Sequence, residues 1–101
     1  MAKPDPIRTE ITTKLAGFDV DKTRGGYTLR DRRSRAAIAR LKRFPGSDDF
    51  ELFYWSAVRD AWRTFGPLGR MRLTLDEVSD ILQHDPMFKL RRSFWRRLIF
   101  G

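Results

Sequence analysis

The stretch from Leu29 to Arg43, LRDRRSRAAIARLKR, carries seven Arg or Lys residues among its fifteen and one acid. Guanidinium groups at that density suit a polyanion, because the planar fork donates two parallel hydrogen bonds to one phosphate. The block belongs to a wider charge layout. Residues 1–20 balance three basic against three acidic side chains, and residues 21–45 carry nine basic and two acidic. Residues 46–87 reverse to four basic and eight acidic, and residues 88–101 hold five basic and none acidic. Two basic blocks therefore flank an acidic middle, for a net charge of +8. Sixteen of the 21 basic residues are Arg. A GC-rich coding sequence explains that ratio as readily as phosphate binding does, but it leaves the segregation along the chain unexplained.

Other chemistry has weaker carriers. His84 beside Asp85 has the residue types of a general base and its orienter. Neighbours in a helix point in different directions, however, and a His near a helix C-terminus has a plainer role against the dipole. Cysteine is absent, and no Ser or Thr stands in a nucleophile motif. Asp76, Glu77 and Asp80 are oxygen donors for a hard cation, but acids at a helix start also favour its N-terminal dipole. Gly25-Gly26 and Gly66-x-x-Gly69 lack the Lys and Ser/Thr of a phosphate loop. The expectation is a non-enzymatic chain with no cofactor and no metal.

The elements that must position the basic blocks follow from local pattern. Asp5-Pro6 is an N-cap followed by the residue favoured at the first helical position, and Ile7, Ile11 and Leu15 recur at spacing four before Gly17. These predict a helix over about 6–16, after which Phe18 and Val20 continue into the core. TRGGY reads as a turn, YTLRD as a strand, RRSR as a turn and AAIARLKRF as the returning strand of an antiparallel hairpin. PGSDD is a further turn. Thr74-x-x-Glu77 is a capping box ahead of Leu75, Val78, Ile81 and Leu82, predicting a helix over 74–84 that ends before Pro86.

Alternation sorts the hairpin by face. Ala37, Ala39 and Leu41 share the core face with Tyr27 and Leu29. Arg30, Ile38, Arg40 and Lys42 share the other, and Arg32, Arg33 and Arg35 crown the turn. Six cations then surround an apolar Ile38, a ribbon able to lie along phosphates, with Phe44 the nearest ring for base stacking. A solvated face that protects a sheet edge is the plainer reading of the same pattern.

Two segments stay open. The segment 48–65, with FELFYWSAVRDAWRTFG beginning at Phe50, fits a helix, with Asp48 and Glu51 as a capping box and Gly66-Pro67 as a stop. It fits two aromatic-rich strands equally well, with AVRD as a turn that lacks Gly or Asn. The tail predicts an amphipathic helix over 87–99. Met87, Phe88, Leu90, Phe94, Trp95, Leu98 and Ile99 fall on one half of its cylinder, and Lys89, Arg92, Ser93, Arg96 and Arg97 on the other. Such a helix can lie on an anionic membrane, bind a partner's groove, or dock its apolar face onto its own sheet. A 101-residue domain needs that apolar surface for its core, which favours docking.

The order YTLRDRRSRAAIARLK, FELFYWS, a Trp seven residues on, LTLDE and DPMF resembles small uncharacterised bacterial domains over residues 27–88. The resemblance implies a curled antiparallel sheet followed by a helix, and so favours strands for residues 48–65. It implies no function, and the basic tail KLRRSFWRRLIFG departs from it.

Together these readings predict one α+β domain over residues 1–101. An N-terminal helix precedes an antiparallel meander of three to four strands, then two C-terminal helices; the alternative is a mostly helical domain with one β-hairpin. The expected function is electrostatic nucleic-acid binding. Arg30, Arg32, Arg33, Arg35, Arg40, Lys42 and Arg43 contact phosphates, with Arg92, Arg96 and Arg97 extending the surface. The alternatives are a protein-interaction or adaptor domain, including self-association, and peripheral binding of an anionic membrane through the tail. The opening MAKPDPIRTE has no apolar signal core, and the longest apolar run, LFYW, falls far short of the ~20 residues that span a bilayer, so the expected setting is cytoplasmic.

Overall fold

The computed structural model describes residues 5–66 and 71–100, the side chain of Phe100 excepted. Asp5 caps the first helix as its sequence demands. Its carboxylate accepts from the backbone N–H groups of Ile7 and Arg8, and Pro6 opens α1 (Pro6–Lys14). The same carboxylate accepts from the Tyr27 hydroxyl at 2.9 Å, which ties the helix start to the sheet.

Five strands follow: β1 (Phe18–Thr23), β2 (Gly26–Asp31), β3 (Ala37–Arg43), β4 (Phe50–Ser56) and β5 (Ala61–Thr64). They form one antiparallel meander in the order β1-β2-β3-β4-β5. The chain closes with α2 (Leu75–His84) and α3 (Pro86–Phe100). The Thr74–Glu77 capping box is present in both directions. The α+β class expected from sequence is therefore correct, but the strand count is five rather than three to four. The strand passed over is β1, whose alternation rests on Phe18 and Val20 alone.

The segment 48–65 forms the two strands β4 and β5, and their turn explains itself. Asp60 takes the left-handed conformation (φ 50°) that closes it. Asp is one of the few residues other than Gly to adopt that region readily, so the missing Gly or Asn is no obstacle.

The inner face of the sheet carries Phe18, Val20, Tyr27, Leu29, Ala39, Leu41, Phe50 and Leu52. Ile11 of α1, Leu15 just after it, Leu75, Val78 and Leu82 of α2, and Phe88 of α3 cover it in one core cluster. The pairs Tyr27↔Leu41 and Leu29↔Ala39 stand as alternation predicts. Beyond them a bulge intrudes, because Arg30 pairs with Ala37 and leaves Ile38 as an extra residue. The bulge turns Ile38 into the core, where it is fully buried. This corrects its expected place on the outer, cationic face: strict period two fails wherever two residues oppose one.

Gly26 marks a close approach in the sheet. A Cβ built there would press into the backbone carbonyl of Leu41 across the strand pair. Gly26→Ala should therefore destabilise the domain by ~1–3 kcal/mol through overpacking, seen as a lower urea midpoint at unchanged slope. Gly25→Ala is the contrast. There the conformation (φ 78°) sets the cost, since the same Cβ would meet no neighbour within 4 Å.

Candidate nucleic-acid interface

All three helices pack into the one cluster on the inner face, so among the described residues the outer face of the sheet has no helical cover. The register sets what it displays. Arg40 stands opposite Phe53, Lys42 opposite Glu51, and Trp55 opposite Trp62. Thr28, which faces Arg40 from the other side, is buried among them. The Trp55 and Trp62 rings meet edge to face with centroids 5.5 Å apart. A cleft of about 290 Å³ opens here, lined by Arg24, Gly25, Arg40, Lys42, Phe53 and Trp62.

Each component has a local cause. Gly25 lets the two-residue β1–β2 turn close (φ 78°) and so carries Arg24 over the strand ends. The Arg40 guanidinium donates to the Arg24 carbonyl and is held at the cleft wall. Lys42 is exposed and makes no hydrogen bond or ion pair among the described residues. Its neighbour across the strand, Glu51, is buried and accepts from the Thr64 hydroxyl at 2.8 Å.

The ten basic residues expected to contact phosphate do not converge. Arg40 and Lys42 lie on the outer face as predicted. Arg30 shares it but donates to Asp21 at 2.7 Å. Arg32 and Arg35 of the β2–β3 turn both pair with Asp19, Arg35 from a left-handed conformation (φ 66°). Arg33 is exposed on the same turn. Arg43 points to the other face of β3, toward Asp48 at 3.3 Å. Arg97 is exposed on α3.

Arg92 and Arg96 are placed quite differently. Both reach under the sheet to Asp31, the last residue of β2, which is fully buried. Arg92 donates through Nε and Nη2 at 3.0 and 2.7 Å, and Arg96 through the same two atoms at 3.0 and 2.7 Å. The Ser34 backbone N–H adds a fifth donor at 2.9 Å. The Arg92 guanidinium also lies over the Phe18 ring, 4.2 Å from its centroid. Burial by itself would raise the Asp31 pKa. The donors from Arg96, Ser34 and Arg92 outweigh it and hold the carboxyl far below the usual carboxylate range. These two arginines position the helix and do not extend the outer surface.

This clamp also rotates the tail away from its expected orientation. The helix does dock onto its own domain, but with Phe88, Arg91, Arg92, Trp95 and Arg96 inward, and with Arg91 Nε on the Ala37 carbonyl at 2.9 Å. Much of the apolar half faces solvent.

The remaining candidates lie apart from this face. His84 Nδ1 lies 3.0 Å from the Asp80 carboxylate, not on Asp85, and is well exposed. Asp85 accepts from the Met87 backbone N–H. Asp76 pairs with Lys14, and Glu77 serves the capping box. Among the described residues no three His, Asp or Glu side chains gather as a metal would require. No helix among them is long and apolar enough to cross a membrane.

Sequence reasoning missed Arg24, Phe53 and Trp62. The signal was available in period two, which puts Phe53, Trp55 and Trp62 on the face of Arg40 and Lys42 once residues 50–64 are read as strands. Phe44, the ring singled out instead, is covered by the Arg72 guanidinium, 4.4 Å from its centroid. Comparison of the chain with protein-family models, curated proteins and solved structures finds no match.

Asp31→Asn removes the charge that two buried guanidinium groups share. Breaking such a pair costs ~3–5 kcal/mol, and the lower end applies because Arg92 and Arg96 keep some contact with water. A fall of ~12–24 °C in the thermal midpoint is expected. The depressed pKa also fixes the acid limb. The stability from Asp31 is fully present above its unfolded-state value near ~3.9 and is lost as pH falls toward the depressed folded value. Urea midpoints between pH ~6 and ~2 should therefore fall less in Asp31→Asn than in the parent.

Proposed function

We propose that this chain is a non-enzymatic nucleic-acid-binding module that holds a single strand against the helix-free face of its sheet. The supporting observation is the cleft where Arg24, Arg40 and Lys42 surround Phe53 and Trp62. Proteins that bind single strands combine a cationic track for phosphates with aromatic faces on which bases stack. Both are present here within a few residues on adjacent strands. In a duplex the base faces are stacked and unavailable to Phe53 or Trp62, so the rings favour an unpaired strand. Arg30, Arg32, Arg33 and Arg35 lie at the β1–β2–β3 end of the same sheet and lengthen the phosphate track.

The reading is tested by anisotropy with labelled homopolymers and with duplex of equal length across a salt series. Log affinity on the single strand should fall with log salt at a slope of ~0.7 per phosphate neutralised, giving about −2 for the three cleft cations. Trp62→Ala should weaken binding by ~1–3 kcal/mol through lost stacking, and Lys42→Glu should weaken it while flattening the slope. Arg97→Ala should leave it unchanged. No binding at ~50 mM salt, or full binding by Trp62→Ala, would overturn the proposal.

A further inference from the structure

Helix α3 has two faces of opposite character. Phe88, Arg92 and Arg96 turn toward the domain. Met87, Leu90, Phe94 and Leu98 recur at spacings of three, four and four residues and form one stripe on the far side of the helix. They are 42, 68, 60 and 63 % exposed. Four large apolar side chains in line are costly to leave in water, and the clamp on Asp31 holds them there.

We propose that this stripe docks the protein onto an anionic lipid bilayer. Orientation permits it, since the stripe points away from the domain and α3 can lie flat without leaving the sheet. Charge favours it. Helix α3 contains no acidic residue. Arg97 borders one edge of the stripe, with Lys89 further round, while Arg91 at the other edge is turned inward to the Ala37 carbonyl. Lys89 and Arg97 are exposed and have no ion-pair partner among the described residues. A helix with Leu and Phe on one side and cations at its margins buries the first in the acyl boundary and sets the second among anionic headgroups.

A second copy fits less well. Each side chain offers on the order of 100 Å², so the stripe supplies roughly 400 Å² per copy, about half of what a standard interface needs. Two such helices would also bring only cations to their flanks. The cleft beside α3 offers a shaped protein partner no hold on the stripe either: it is lined by Leu82, Gln83, Lys89, Arg92, Ser93 and Arg96, and by no residue of the stripe. A bilayer requires no socket.

The experiment is co-sedimentation of the full chain with vesicles of phosphatidylserine and phosphatidylcholine, against phosphatidylcholine alone. Binding to the mixed vesicles should exceed binding to the neutral ones by about tenfold and should weaken with salt. Phe94→Glu and Leu90→Glu should each lower it by about tenfold. Both positions are mostly exposed, and unchanged circular dichroism would show that the fold is kept. Trp62→Ala, on the opposite face of the sheet, should pellet like the parent, which separates this proposal from nucleic-acid binding. Equal binding to neutral vesicles, no pelleting, or pelleting indifferent to Phe94→Glu would overturn it. So would a dimer in light scattering that Phe94→Glu dissolves, since the stripe would then be an interface between copies.

Discussion

A single buried carboxylate decides how this chain is assembled. Asp31 ends β2 with no solvent exposure, five N–H donors and two guanidinium groups around it. A buried carboxylate without such partners would lose several kcal/mol to desolvation, so β2 can end inside only because α3 brings Arg92 and Arg96 to it. The reverse also holds. Those arginines are one turn apart on one side of α3, and satisfying both at once fixes the rotation of the helix about its axis. Apolar packing alone would have turned α3 by about a quarter turn from this position. The ion cluster, together with Phe88 against Phe65 (centroids 5.6 Å apart), overrides it.

The same cluster shows where sequence stops being informative. Caps, turns and register were legible, because each is a local rule: Asp5-Pro6, Thr74-x-x-Glu77, and the pairing of Tyr27 and Leu29 with Leu41 and Ala39. The rotation of α3 was not legible. A helical wheel ranks faces by hydrophobicity, and nothing near Arg92 in sequence names Asp31, sixty-one residues earlier, as its partner. The bulge at Ile38 and the strand β1 failed for a related reason. Period two assumes one residue opposite one, and it needs more than Phe18 and Val20 to show itself. The segment 48–65 was undecidable by period because aromatics stood at both helical and strand spacings.

Charge along the chain was legible and was the least reliable guide to a surface. The block 29–43 looks like one cationic ribbon. In three dimensions it divides among the outer face, a turn, the opposite face of β3 and a buried acid. Partners come from β1, where Asp19 and Asp21 lie beside β2, so the strand passed over in sequence is also what neutralises three of the ribbon's seven cations. What remains on the outer face gains its interest from Phe53 and Trp62, which carry no charge at all.

Magnitudes then separate two kinds of paired arginine. Arg30 with Asp21, and Arg32 and Arg35 with Asp19, are pairs in which both side chains stay in water. Exposed pairs of this kind are worth only ~0–1 kcal/mol and weaken with salt, so a phosphate can replace the carboxylate at little cost. Arg92 and Arg96 hold a carboxylate with no access to water, and releasing it would leave a charge buried alone. No surface phosphate compensates for that. Arg30, Arg32 and Arg35 are therefore exchangeable and Arg92 and Arg96 are not, although all five are Arg and all five are paired. Availability for a ligand follows from the burial of the partner, not from the presence of an ion pair.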